Sequence, residues 1–418
     1  MKLSRLAFLL ALPALISHAS AQEWARFRGA GGTAISKATT IPTKISAGDV
    51  NWSVVLPGTG HSSPVAWGDR MFLTTCSESE GGLKILCINP ANGGMIWSQD
   101  LTLNPFRKHR YNSLASATPV LDDKHVYVGF SEPKKYTFVA LTHDGKKVWE
   151  RDLGPFVSQH GSGASPVLHD GKIILNSIKD DDSFVIALNP KDGRTIWKHQ
   201  RPVNAVAAYG SASVYQPKGG QAQLLFTSQA DGIFSLNPKD GKLLWQMPGL
   251  YTKRSACSVT VAGDIAFGSC GSGGGGNYIR AVRAGIPEKG IKPSLAWEIR
   301  RSSLSPYVPT PVVQGKYAYL LSDAGFLSCI NHQTGEQIYA ERLNTDGRRG
   351  ANFFASPVII DNRLFCLTTN GKLYICATGP QYKVLSEFKV DGTCHATPAV
   401  HRGRLYIRTT EKLYSIGG

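Results

Sequence analysis

Beyond residue 21 this sequence lacks any apolar run near the roughly 20 residues that a membrane-spanning helix needs. Helical periodicity is missing as well. No window repeats apolar residues at three- and four-residue spacing, which excludes helical bundles and helical solenoids. Charge is sparse at 18% and lopsided, with 30 acidic against 46 basic residues and a formal net charge of +16. That balance favours anionic partners in general. No nucleic-acid-binding module accompanies it, so nucleic acid is not an expected partner. What is plentiful is glycine, 44 residues, distributed as turns between short strands.

The amino terminus reads as a targeting segment. Lys2 and Arg5 precede the apolar run Leu6 to Ile16, and Ala19-Ser20-Ala21 gives the small-x-small pattern of a cleavage site. Residues 1–21 are therefore expected to be a signal peptide, with Gln22 starting the mature chain. Gln22 stands where a lipid-anchored protein needs cysteine, so no membrane anchor is expected and the product should be periplasmic or secreted. Eight cysteines in such a compartment permit disulfides. A two-residue turn at Gly263-Asp264 would set Cys257 opposite Cys270, at a separation a disulfide can span. An Asn370-Gly371 turn would set Cys366 opposite Ile375, leaving Cys376 without that partner.

A repeat organises the rest. Units open on a small residue, often followed by proline and an apolar pair: Ser63-Pro64-Val65, Thr118-Pro119-Val120, Ser165-Pro166-Val167, Thr310-Pro311-Val312, Ser356-Pro357-Val358, Thr397-Pro398-Ala399. They close with an alternating strand, a turn rich in Asn, Asp and Gly, and a strand ending in an aromatic. Asn189-Pro190-Lys191-Asp192-Gly193 leads to Trp197, and Asn237-Pro238-Lys239-Asp240-Gly241 leads to Trp245. Other units end at Trp97, Trp149, Trp297 and Tyr339, with a weaker member near Phe388. The interval of roughly 42 to 52 residues fits four short strands, one blade of a propeller. Units starting at 63, 117, 164, 211, 255, 309, 356 and 396 make eight. The last lacks its aromatic strand, and Val50 to Val54 matches the missing piece. The predicted fold is all-β: an eight-bladed propeller over residues 50–418, its last blade closed by an N-terminal strand, with residues 22–49 as an extension. The periodic tryptophans are expected to pack between blades as core.

These units resemble the PQQ-type repeat of the quinoprotein-like propellers. Gly325-Phe326-Leu327-Ser328-Cys329-Ile330-Asn331 with Thr334-Gly335 follows that repeat closely, and Trp24-Ala25-Arg26-Phe27-Arg28-Gly29 resembles the start of many exported bacterial proteins of the group. The family includes PQQ-dependent alcohol and sugar dehydrogenases and non-catalytic members, among them a lipoprotein that assists outer-membrane protein assembly. The resemblance therefore implies a fold more firmly than an activity.

In the dehydrogenases, PQQ lies over the central funnel with Ca²⁺ held by acidic and amide oxygens, as a hard cation requires. Here the residues three before each blade's proline position are His61, Ser116, Gly163, Gly210, Ser255, Val308, Phe354 and His395, none of them acidic. Only Asp346 and Asp391 stand out among carboxylates in these loops. The adjacent cysteine pair of many such enzymes and the haem-type Cys-x-x-Cys-His are both absent. PQQ is disfavoured as a cofactor on these grounds. The same loops carry basic clusters: Arg107, Lys108, His109 and Arg110, then Lys253-Arg254, Arg300-Arg301 and Arg348-Arg349. Blade geometry should gather them, with His160, on one face around the funnel, where they would bind an anionic small molecule, an acidic polysaccharide or a protein segment. His61, Cys394 and His395, from blades that meet, form a weaker candidate for a soft metal ion. The glycine run Gly271 to Gly276 reads as a hairpin loop at the blade rim. The leading expectation is a binding scaffold; a PQQ-dependent oxidoreductase and an envelope protein-assembly module are the alternatives.

Overall fold

The computed structural model describes residues 24–77, 82–104, 109, 111–180, 182–201, 206–300, 303–343 and 352–418. They form eight antiparallel sheets of four strands, one of which gains a fifth strand in parallel, arranged as an eight-bladed β-propeller. Blade three is typical. A three-residue inner strand, Val167–His169, turns at Asp170-Gly171 into Lys172–Ser177, followed by Phe184–Leu188 and Thr195–Gln200. Asp170 and Gly171 both take positive φ, 47° and 65°, the pairing that a tight two-residue hairpin demands. Middle strands are buried on both faces because each blade is sandwiched between neighbours, whereas the outermost strand alternates exposed and buried.

Every blade carries a bulge where its third strand meets its fourth. In blade three Leu188 pairs with Thr195 but Ala187 with Trp197, leaving Ile196 unpaired. The extra residue turns the aromatic inward, toward the next blade. There the Trp149 indole N–H donates to the Pro190 carbonyl at 2.8 Å, and Trp197 to Pro238 at 3.1 Å. Trp97 to His143 and Trp297 to His332 repeat the bond at 2.9 Å each. A glycine lies beneath each ring: a Cβ at Gly193, whose φ is 70°, would sit 2.7 Å from the Trp149 ring. The tryptophans are thus interblade core, as expected, and also donors that tie each blade to the next. Trp245 reaches its neighbour indirectly, through Gln223, which donates to the Gly285 carbonyl.

The ring is closed as the repeat count requires. Val50–Val55 pairs antiparallel with Lys412–Ile416 and completes blade eight, and Trp52 donates to Pro90 of blade one at 3.2 Å. Upstream, residues 24–36 cross the foot of the central channel. The Trp24 and Ala25 carbonyls accept from Ala66 and Leu121 of blades one and two. Arg28 then reaches Thr310 and Pro311 of blade six, and Ile35–Ser36 adds in parallel to Val358–Ile360 of blade seven.

Two cysteine expectations are corrected. The Gly263-Asp264 turn forms, but the ladder between Thr260–Ala262 and Ile265–Cys270 ends at Thr260. Cys257 beyond it turns its Sγ to Ser269 Oγ at 3.0 Å, so Cys257 and Cys270 are separate buried thiols. Cys366 lies opposite Tyr374 rather than Ile375, and Cys376 opposite Leu364.

Candidate functional site

Every blade delivers its inner strand through a lead-in segment on one face of the ring, and there a cavity of about 820 Å³ opens at the centre. Phe27, from the segment that crosses the channel, lies at its floor. Above it run eight hydroxyls, one per blade: Ser63, Thr118, Ser165, Ser211, Ser258, Thr310, Ser356 and Thr397. They stitch blade to blade. The Ser63 amide donates to Thr118 Oγ1 at 2.9 Å and Thr118 to Ser165 Oγ at 3.0 Å; Ser258, Thr310 and Ser356 continue the pattern at 3.0–3.1 Å. The sequence carries the signal for this ring, since the small residue that opens each unit is Ser or Thr throughout.

Higher in the funnel the wall is aromatic. Seven rings form a continuous arc: Tyr209, His160, His109, Tyr111, Phe354, His395 and His61. Successive centroids are 6.1, 4.6, 5.5, 5.5, 5.1 and 4.3 Å apart. Most contacts are tilted or edge-to-face, the arrangement that ring quadrupoles prefer; His109 on His160 is stacked. The arc spans the lead-ins of blades four, three, two, one, eight and seven. Blades five and six fill the gap with Arg254, Asn277, Tyr307 and Asp323. Among the described residues, Arg254 and Asp323 are the only Lys, Arg, Asp or Glu side chains lining the cavity.

Burial governs the electrostatics. It presses His395 down to about 4, and His160 to about 4 with help from the Arg254 charge, so both imidazoles are neutral at neutral pH. Burial also raises Asp323 to about 6 although its oxygens accept from the Tyr307 and Val308 amides at 2.6 and 3.3 Å. Arg254 Nη2 donates to Gln159 Oε1 at 3.1 Å, and Nη1 stands 3.5 Å from His160 Nε2. Its Nε is buried without a hydrogen bond, and no carboxylate pairs with it among the described residues.

His61, His109, His160, Arg254 and His395 therefore line the funnel together. Lys253 stands beside it, its Nζ on the Gly275 carbonyl at 2.9 Å. Arg300 does not join them. It follows the outermost strand of blade five and pairs with Glu298 at 2.8 Å, because the lead-in to blade six starts on the outer strand and only later reaches the centre. Arg107, Arg110, Arg301, Arg348 and Arg349 lie outside the described residues, as do Lys108 and Asp346. The Gly271 to Gly276 run is not at the rim: Ser272, Gly273 and Gly275 line the cavity, because this hairpin folds over the funnel face.

The soft-metal set is also corrected. His61 Nδ1 and His395 Nδ1 approach to 3.4 Å, but Cys394 is buried with its Sγ 4.0 Å from the Gly392 carbonyl. His395 lines the cavity and the fully buried Cys394 does not, so the two do not face one ion there. Among the described residues no group of three His, Cys, Asp or Glu is placed to hold a metal.

The lining can also be set against the quinone and Ca²⁺ pair of the dehydrogenases. A hard cation needs several free oxygen ligands. Asp323 spends its oxygens on two amides, Asn112 Oδ1 accepts from the Ser113 amide at 2.9 Å, and Asn277 Oδ1 from the Ser272 amide at 3.1 Å. The residues present do not fit that pair.

The repeat, the closure and the funnel define the class: the chain is a PQQ-repeat β-propeller. The family model described as outer membrane protein assembly factor BamB matches residues 81–269. BamB from Moraxella catarrhalis superposes with a TM-score of 0.60 at 16% identity, covering 88% of this chain and 96% of that one. The quinohemoprotein alcohol dehydrogenase of Comamonas testosteroni gives 0.64 at 13% identity, covering 95% and 80%. These likenesses are of fold. In sequence, polyvinylalcohol dehydrogenase of a Pseudomonas species is 22% identical over 165 residues, 36% of this chain and only 24% of that protein.

Proposed function

We propose that the chain is a non-catalytic binding propeller of the periplasm or the exterior, whose funnel takes an anionic ligand. The observation that carries this reading is Arg254, a cation at the funnel wall with its Nε enclosed, unbonded and without a carboxylate among the described residues. Enclosing part of such a charge is costly unless an anion meets it. The aromatic arc supplies the complement, a wall for an apolar or ring face of the same ligand. A cavity floored by Phe27 is suited to a small molecule, or to the end of an acidic polysaccharide or protein segment, in preference to the middle of a polymer. In this reading the sequence adds Arg107, Arg110, Arg301, Arg348 and Arg349, outside the described residues, as candidate contacts for the anion, and export follows from the pattern of residues 1–21.

Calorimetric titration with benzoate, a galacturonate oligomer and an acidic peptide tests it. At least one probe should bind with salt-sensitive affinity, and Arg254→Gln should weaken it tenfold or more. Equal affinity in that variant defeats the reading. So does alcohol-dependent dye reduction after reconstitution with PQQ and Ca²⁺. The match to the assembly-factor family over residues 81–269 supports a second reading, an envelope protein-assembly module. In that case the acidic peptide alone among the probes should bind.

A further inference from the structure

The segment that crosses the channel separates two cavities. Phe27, Ser258 and Thr310 border both the funnel and a second cavity of about 230 Å³ on the segment's other side. Blades four, five and six wall this lower cavity, and two arginines of the crossing segment, Arg26 and Arg28, line it. No acidic side chain lines it among the described residues.

Arg28 is 3% exposed, and carbonyls fix it on three sides. Its Nη1 donates to Thr310 at 2.5 Å, Nη2 to Pro311 at 2.6 Å and Nε to Gly32 at 3.1 Å. Arg26 is held by less. Its Nη2 donates to the Ala212 carbonyl at 3.3 Å, and its enclosed Nε makes no hydrogen bond. Neither arginine makes an ion pair among the described residues. Burial lowers Arg26 to about 10 and Arg28 to about 9, so both stay charged at neutral pH. Two like charges two residues apart, Arg28 buried and Arg26 half-buried, beside a cavity without a carboxylate are the arrangement that a small anion neutralises.

We infer that Arg26 and Arg28 form an oxyanion-binding site in the lower cavity, distinct from the funnel and sized for a sulfate, a phosphate or a small carboxylate. Arg28 is the fixed electrostatic anchor, three of its five N–H donors committed to carbonyls. Arg26 supplies the free donor. The site does not depend on what the funnel binds.

Equilibrium dialysis with radiolabelled sulfate tests the site, with phosphate and acetate as competitors and chloride at matched ionic strength as the control. Wild-type protein and Arg254→Gln should each bind about one sulfate per chain, and Arg26→Gln should bind at least tenfold more weakly. Arg26→Lys keeps the charge but loses the fork, and should fall between; it also stands in should Arg26→Gln fail to fold. Whichever competitor displaces sulfate at the lowest concentration identifies the oxyanion preferred. Absence of bound sulfate in wild type overturns the inference, as does undiminished binding in the Arg26 variants. Binding lost in Arg254→Gln and kept in Arg26→Gln would place the anion in the funnel, overturning this site while supporting the funnel reading.

Discussion

His61 and His395, 334 residues apart in the chain, meet edge to face at the funnel wall with their Nδ1 atoms 3.4 Å apart. Burial keeps the His395 imidazole from charging there. His395 and His160 sit near 4 in the fold against an ordinary 6.5. Between those values the unfolded chain binds protons that the fold does not, so stability falls as pH drops from 6.5 toward 4. Asp323 works the other way, since a carboxyl raised from 3.8 to about 6 takes its proton first in the fold. Two imidazoles outweigh one carboxyl. The melting temperature should decline from pH 7 to pH 4.5, and His395→Phe should flatten that slope. A wild-type profile level across this range contradicts the assignment.

The indole and glycine contacts between blades give a second expectation. Gly193→Ala forces a methyl into the Trp149 ring at a position of φ 70°, and should cost about 1–3 kcal/mol in urea unfolding. Trp149→Phe keeps most of the packing and loses the bond to Pro190, for about 1 kcal/mol from the bond itself. The glycine change should therefore equal or exceed the loss of the hydrogen bond.

Closure of the ring is testable by truncation. Removing residues up to 55 strips the outer strand from blade eight and bares the edge of Lys412–Ile416. The shortened chain should form aggregates on size-exclusion chromatography, and a peptide of the sequence Val50–Val55 added during refolding should reduce them. Monomeric behaviour without the peptide would show that the closure is dispensable.

All eight cysteines are buried thiols. Native protein should resist a thiol reagent such as dithionitrobenzoate, and denatured protein should release eight equivalents without a reductant. Six equivalents would restore a bridge such as Cys257 to Cys270.

The blades were legible because in seven of the eight an aromatic at the bulge reaches the next blade, which fixes both its identity and its interval. In blade seven Ser386 takes that position instead of the expected Phe388, which pairs with Leu373 further along the strand. Val50 to Val54 was legible as the one aromatic strand without a unit of its own. The funnel was legible only in part. His61, His109, His160, His395 and Arg254 lie in lead-in segments that the repeat already located. Asp323 was missed because it comes from the hairpin between the second and third strands of blade six, which reaches the same face by another route. Tyr209, Tyr111 and Phe354 look like ordinary loop aromatics until the blades are set side by side. Phe27 could be placed only once the segment was seen to cross the channel. Counting opposite residues past Thr260 produced the Cys257 error, since strand pairing stops where the lead-in bends toward the funnel.

The pairing of Val50–Val55 with Lys412–Ile416 also sets an order of events during folding. The earliest strand of the ring to be synthesised is the last to find its partner. Until the final residues emerge, the growing chain carries an unpaired strand at one end and an unfinished blade at the other. The blades between them can form from local hairpins, but the circle cannot. Completion then depends on contacts spanning nearly the whole chain, the slow kind. Until that step the nascent protein has two sticky ends that fit each other, and that also fit the ends of another copy.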